Sequence, residues 1–136
     1  MNVYLFFAGI FASTMAIGHS LIGHFAFFKP LRNAYKSTVF GDSDVTRRLV
    51  LGGWDFLAIP LGMTAIALFI LSFSPTYFEN PKYITQLVFW HYIGQAVILL
   101  WYQLPRPTMF VRSPLWIGTI GIPILIYFGT NAIRNA

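Results

Sequence analysis

Residues 49–73 read LVLGGWDFLAIPLGMTAIALFILSF, a run holding one acid, Asp55, and no base. Its length matches the roughly 17 to 25 residues a helix needs to cross a bilayer. Backbone groups in lipid must be satisfied internally, so such a run predicts a helix. Similar apolar stretches cover Val3 to Phe28, Ile84 to Leu104 and Leu115 to Thr130. The whole chain agrees with them: of 136 residues, 57% are hydrophobic and only 10% charged, with a mean hydropathy of +0.65. A soluble domain carries roughly 25% charged residues. The expected fold is therefore all-α, a polytopic membrane protein with one bundle of four transmembrane helices at about 3–28, 45–73, 83–104 and 114–131. The connectors leave no room for a soluble domain. The first run has no basic segment before it and exceeds the ~7 to 15 apolar residues of a signal peptide, so it is expected to remain as the first helix.

Nine Lys and Arg face four acids, but their placement speaks against nucleic acid. Lys29, Arg32, Lys36, Arg47, Arg48, Arg106 and Arg112 all fall in or beside the first and third connectors, which share one side of a four-span bundle. Only Lys82 and Arg134 lie on the other. The positive-inside rule then puts both termini on the outer, periplasmic side of a bacterial inner membrane and the basic connectors 29–48 and 105–113 in the cytoplasm. The charge is thus read as setting topology, with contact to anionic lipid head groups or an acidic partner as the alternative.

Boundary signals fit these spans. Residues 41–44, GDSD, offer a turn and an N-cap, and residues 72–83, SFSPTYFENPKY, close the second run and open the third. Ser113 and Pro114 suit a helix start, because proline loses nothing where the N–H would be unpaired. Pro60 and Pro123 fall inside spans and should free carbonyls there. Trp101, Tyr102 and Trp116 sit near expected interfaces, where amphipathic rings anchor helix ends. With no cysteine, disulfides, thiolate ligands and a cysteine nucleophile are excluded.

The chemically informative residues are the ionisable ones inside the spans, which cost at least ~2.5 to 3.5 kcal/mol each on insertion scales and so mark partners or sites. In the first helix Gly9, Ala12, Ser13, Ala16, Ser20 and Gly23 form a small-residue stripe suited to close packing. His19 and His24 border its two edges, about 140° apart at 100° per residue. A metal-binding pair on a helix is normally four residues apart on one face, so this spacing is a weak motif. Asp55 falls near the sector of Ala58, Gly62 and Ala65, at a depth between His24 and His19. In the third helix His91, Gly94, Gln95, Ile98 and Tyr102 share a face, with His91 about 10 Å from His19 along the membrane normal at 1.5 Å per residue.

Several chemistries suit this set. His19, His24, Asp55, His91 and Gln95 can hydrogen-bond among themselves and fix helix register. As a metal site, His19, His24, His91 and Asp55 supply ligands for a transition metal, with the carboxylate binding directly or orienting a ring. As a haem site, His19 and His91 are the axial pair, at an awkward offset in depth. A proton relay and a quinone or lipid pocket, with Gln95 lining a cofactor, are further readings. Serine nucleophile chemistry is disfavoured, since Ser13, Ser20 and Ser72 lack a nucleophile elbow.

The run HSLIGHFAFFKPL (19–31) followed by RRLVLGGWDF (47–56) resembles an uncharacterised group of small bacterial four-helix membrane proteins. The pattern of that group is His-Ser, two residues, Gly-Glu, then Pro-Leu, with Trp-His early in the second helix. His19, Ser20, Gly23, Pro30, Leu31 and Trp54 match it. His24 stands where the group has Glu, and Asp55 where it has His. This exchange of base for acid and acid for base suits positions 24 and 55 pairing across the first two helices. The resemblance covers the first half of the chain and brings no activity with it.

The expected function is a small accessory or structural subunit of a larger membrane complex, of respiratory, photosynthetic or oxygenase type, with other membrane subunits as partners, bound lipid, and the buried His/Asp/Gln network supporting a cofactor or lipid; enzyme activity is left open. The alternatives are an independent metal- or haem-binding redox protein and a small ion or solute transporter.

Overall fold

A computed structural model describes residues 1–22, 25, 43–105 and 115–134. These residues form four helices and no strand: α1 (Val3–Ile22), α2 (Ser43–Phe73), α3 (Pro81–Gln103) and α4 (Leu115–Arg134), with a single 3₁₀ turn at Pro75–Tyr77 between α2 and α3. Three helices hold runs long and apolar enough to cross a membrane: Val3–Leu21, Phe56–Phe73 and Pro81–Trp101. Trp116–Ala132 in α4 is a shorter apolar run. α3 begins at Pro81 rather than near residue 83, for a local reason. The Asn80 side chain accepts from the Tyr83 N–H at 3.1 Å, and Pro81 occupies the first helical position, where its missing N–H goes unneeded.

α1 packs along both α2 and α4, and α3 packs along α4, whereas α2 and α3 touch only sparingly. The bundle is thus a ring in the order α2, α1, α4, α3, thinly closed between its ends. One residue locks one end of this arrangement. Asn2 N–H donates to the Ser72 carbonyl at 2.8 Å, the Ser72 hydroxyl donates to the Asn2 carbonyl at 3.1 Å, and the Asn2 side-chain amide donates to the Gly129 carbonyl at 2.8 Å. Its side-chain oxygen also accepts from Leu5 N–H at 3.2 Å, capping α1. One short side chain therefore ties the start of α1 to α2 and α4. Asn2→Ala is expected to lose about 1 to 2 kcal/mol of unfolding free energy, as for other caps with tertiary bonds; denaturant titration of the detergent-solubilised chain measures it.

Close approach depends on small residues. A Cβ on Gly9 would meet the Phe69 ring at 3.1 Å, one on Gly129 would meet Leu5 Cδ2 at 2.6 Å, and one on Gly118 would press on the Met15 side chain. Gly118 and Gly129 thus give α4 a face on which α1 lies flush. Apart from Tyr92 of α3, core side chains are modest in size: Leu5, Ala8, Ala12, Leu61, Ala65 and Leu68 are buried, with Ile122 and Ile126 from α4 and Val88 from α3. Many of the large ones lie outside. Phe7, Phe56, Trp90, Ile124 and Phe128 are all more than 40% exposed, and only 22% to 28% of each span-like run is buried. Water would not tolerate an apolar surface on this scale in a monomer. The buried hydroxyls of Ser72, Thr85 and Thr119 all donate to carbonyls, of Asn2, Lys82 and Trp116.

Candidate functional site

Among the described side chains of α3, Thr85, Val88, Tyr92 and Ala96 are the buried ones, spaced three or four apart on one face. Tyr92 is the largest fully buried side chain in the described protein. Its hydroxyl lies 3.0 Å from Thr64 Oγ1 on α2, and Thr64 itself donates to the Leu61 carbonyl at 2.8 Å. A threonine hydroxyl has one proton, so with that proton on Leu61 the bond between helices must run from Tyr92 to Thr64. This bond crosses the thin α2–α3 seam.

The sequence pattern placed a different face of α3 inward, that of His91, Gly94, Gln95, Ile98 and Tyr102. The structure corrects it: Gly94 is exposed and Ile98 is 61% exposed. The Tyr102 side chain lies outside the described residues. The helix is turned so that Val88, Tyr92 and Ala96 take the interior and the polar residues fall on a flank. Phe89 and Ile93 occupy the opposite flank, against Pro123 and Tyr127 of α4. His91 and Gln95 are therefore on the α2 side, half-buried along the seam that Tyr92 bridges.

His91 and Gln95 are one turn apart, and the Gln95 amide nitrogen sits 2.9 Å from His91 Nε2. An amide nitrogen only donates, so Nε2 is the acceptor and the neutral ring carries its proton on Nδ1. The ring is packed edge-on to Tyr92, with centroids 5.4 Å apart and planes at 81°. Nδ1–H and the Gln95 side-chain carbonyl have no hydrogen-bond partner among the described residues. His91 is also the central residue of the Pro81–Trp101 run. One donor and one acceptor are thus presented side by side at mid-span.

His19 lies elsewhere. On α1 it continues the inward line of Leu5, Ala8 and Ala12, half-buried and engaged by a neighbouring group. Its level follows from the Asn2–Ser72 clasp. At ~1.5 Å per residue, His19 is about 25 Å along α1 from that clasp, while Thr64, level with Tyr92, is about 12 Å along α2. His19 and His91 thus differ in depth by about 13 Å on this rise, and the structure does not bring them together. His24 lies outside the described residues, as does the side chain of Asp55, whose backbone belongs to α2. Among the described residues no group of three or more His, Asp or Glu gathers as metal ligands would.

Two features went unread in the sequence. Asn2, directly before an apolar run, is an N-cap signal that was available. Tyr92 spaced four residues from Val88 and Ala96 was likewise a legible stripe, but nothing in the pattern ranks it above His91. No protein-family model, curated protein or solved structure matches the chain.

Proposed function

We propose that this chain is a four-span integral membrane protein that serves as a small accessory subunit of a larger membrane assembly. Both termini lie on the outer side and the basic connectors in the cytoplasm. The observation that carries the reading is the His91–Gln95 pair: an open donor and an open acceptor at the centre of an apolar run, on the flank where α2 and α3 close only thinly. Polar groups at that depth usually face another helix or a ligand rather than hydrocarbon. A helix of another subunit carrying a hydroxyl or amide would satisfy both atoms at once, as interhelical polar contacts do in membranes. His91 already spends Nε2 on Gln95, so a metal would have to take Nδ1 or displace the amide.

Gentle detergent extraction, size-exclusion chromatography and mass spectrometry of the co-eluting chains test this. The 15.4 kDa chain is expected in a much larger peak with reproducible partners. His91→Leu with Gln95→Leu should release it from them, because leucine fills the space without pairing. A lone, cofactor-free monomer would overturn the reading, and stoichiometric metal or a haem absorption band in a small peak would replace it with a redox protein.

A further inference from the structure

The outward side of the α3–α4 seam carries a groove that neither the polar pair nor the packing explains. Two clefts run into each other there, sharing Phe89 and Tyr127. The first, about 490 Å³, is flanked at its outer end by Lys82, Gln86 and Asn131. The second, about 380 Å³, continues between Ile93 and Pro123. The threonine hydroxyls along the way are already spoken for, since Thr85 donates to the Lys82 carbonyl at 2.9 Å, Thr130 to that of Ile126 at 2.8 Å and Thr119 to that of Trp116 at 3.2 Å. The Lys82 ammonium and the amides of Gln86 and Asn131 have no partner among the described residues.

We propose that this groove binds one anionic phospholipid, its phosphate on Lys82, Gln86 and Asn131 and an acyl chain laid past Phe89 and Tyr127 toward Ile93. Three features fit that occupant. The first cleft is lined by one cation and no acid, so the head group carries negative charge. The ammonium and amide donors sit together at its outer end, and the lining from Phe89 on is aromatic and aliphatic, its polar atoms being the Trp90 indole N–H, the Tyr127 hydroxyl and the satisfied Thr119. The length also agrees: Lys82 to Ile93 spans about 16 Å at 1.5 Å per residue, against about 15 Å for one leaflet of a ~30 Å hydrocarbon core. The inference rests on the membrane reading and is independent of any partner subunit.

The test is native mass spectrometry of the full chain, released from phosphatidylcholine nanodiscs and titrated with phosphatidylglycerol, phosphatidylcholine or glycerol phosphate. A single phosphatidylglycerol adduct is expected, favoured over phosphatidylcholine by roughly fivefold, the scale of one interfacial lysine. Glycerol phosphate should give none. Lys82→Gln should abolish the preference, and Ile124→Trp, a substitution at an exposed groove position, should remove the adduct for both lipids. Lys36→Gln in the basic connector should change nothing. Equal adducts of the two lipids on the native chain, or an adduct surviving both groove variants, would overturn the site while leaving the membrane reading intact. Alkaline carbonate washing the chain off native membranes would sink both.

Discussion

Replacing Gly129 by leucine is expected to cause the largest loss of stability of any single change considered. The position faces Leu5 so closely that even a Cβ would lie 2.6 Å and 2.7 Å from Leu5 Cδ2 and Cγ, and 3.3 Å from Asn2 Oδ1. The Leu5 side chain cannot simply retreat, because it is fully buried on a helix whose first turn is pinned to Ser72 and Gly129 by Asn2. α1 and α4 must separate instead. Gly129→Ala should cost about 1 to 3 kcal/mol, the usual range for overpacking. Gly129→Leu should exceed that by breaking the Asn2 bond to the Gly129 carbonyl. Leu5→Ala in the Gly129→Ala background should recover part of the loss, because it empties the space that the new methyl needs. Thermal unfolding in detergent micelles reads all three. If Gly129→Ala unfolds at the native temperature and shows no coupling to Leu5→Ala, the close packing of α1 on α4 is wrong.

Removing the Tyr92–Thr64 bond should give unequal losses from its two ends. Tyr92→Phe deletes the donor, but Thr64 keeps its proton on the Leu61 carbonyl, so no buried group is left orphaned. The expected cost is about 0.6 kcal/mol, the mean found for interhelical bonds within membranes. Thr64→Val strands the Tyr92 hydroxyl in a fully buried position and should cost about 1 to 3 kcal/mol. Tyr92→Ala should be worse than either, about 3 kcal/mol, because it empties the largest buried side-chain volume at the thinnest seam of the ring. A double-mutant cycle of Tyr92→Phe and Thr64→Val, followed by reversible denaturant unfolding, isolates the bond. If Tyr92→Phe cost more than Thr64→Val, the donor direction deduced from the Thr64–Leu61 bond would be reversed.

How much of this was legible beforehand differs by element. The run at 49–73 is helical in the structure because a long apolar stretch has few other ways to satisfy its backbone. Asn80 and Pro81 announce the start of α3 through local chemistry that needs no neighbour. The small-residue stripe of α1 was readable in part: Gly9 and Ala12 are buried and Ser13, Ala16 and Ser20 half-buried, while His19, expected at the edge of the stripe, falls in line with Leu5, Ala8 and Ala12. The candidate site was legible only as a set of residue types. His91 and Gln95 do bond to each other, because four-residue spacing suffices for that. Their position on the flank rather than in the interior was not readable, nor was the distance in depth from His19.

The division has one physical cause. Length, apolarity and capping act within a few residues along the chain, so the sequence by itself determined that the described chain is helical, that a turn separates α2 from α3, and that three of the four expected runs are long and apolar enough to cross a membrane. Which face of each helix looks inward is a different matter. In a soluble protein hydrophobicity marks the inner face, but lipid is as apolar as leucine, and that signal vanishes for a helix surrounded by it. Shape decides in its place: Gly129 admits Leu5, Gly9 admits Phe69, and the Tyr92 ring fills the space between α2 and α3. Complementarity of this kind belongs to pairs of residues far apart in the chain. Only the tertiary structure could therefore turn α3 so that Tyr92 points in and His91 with Gln95 is left on the seam.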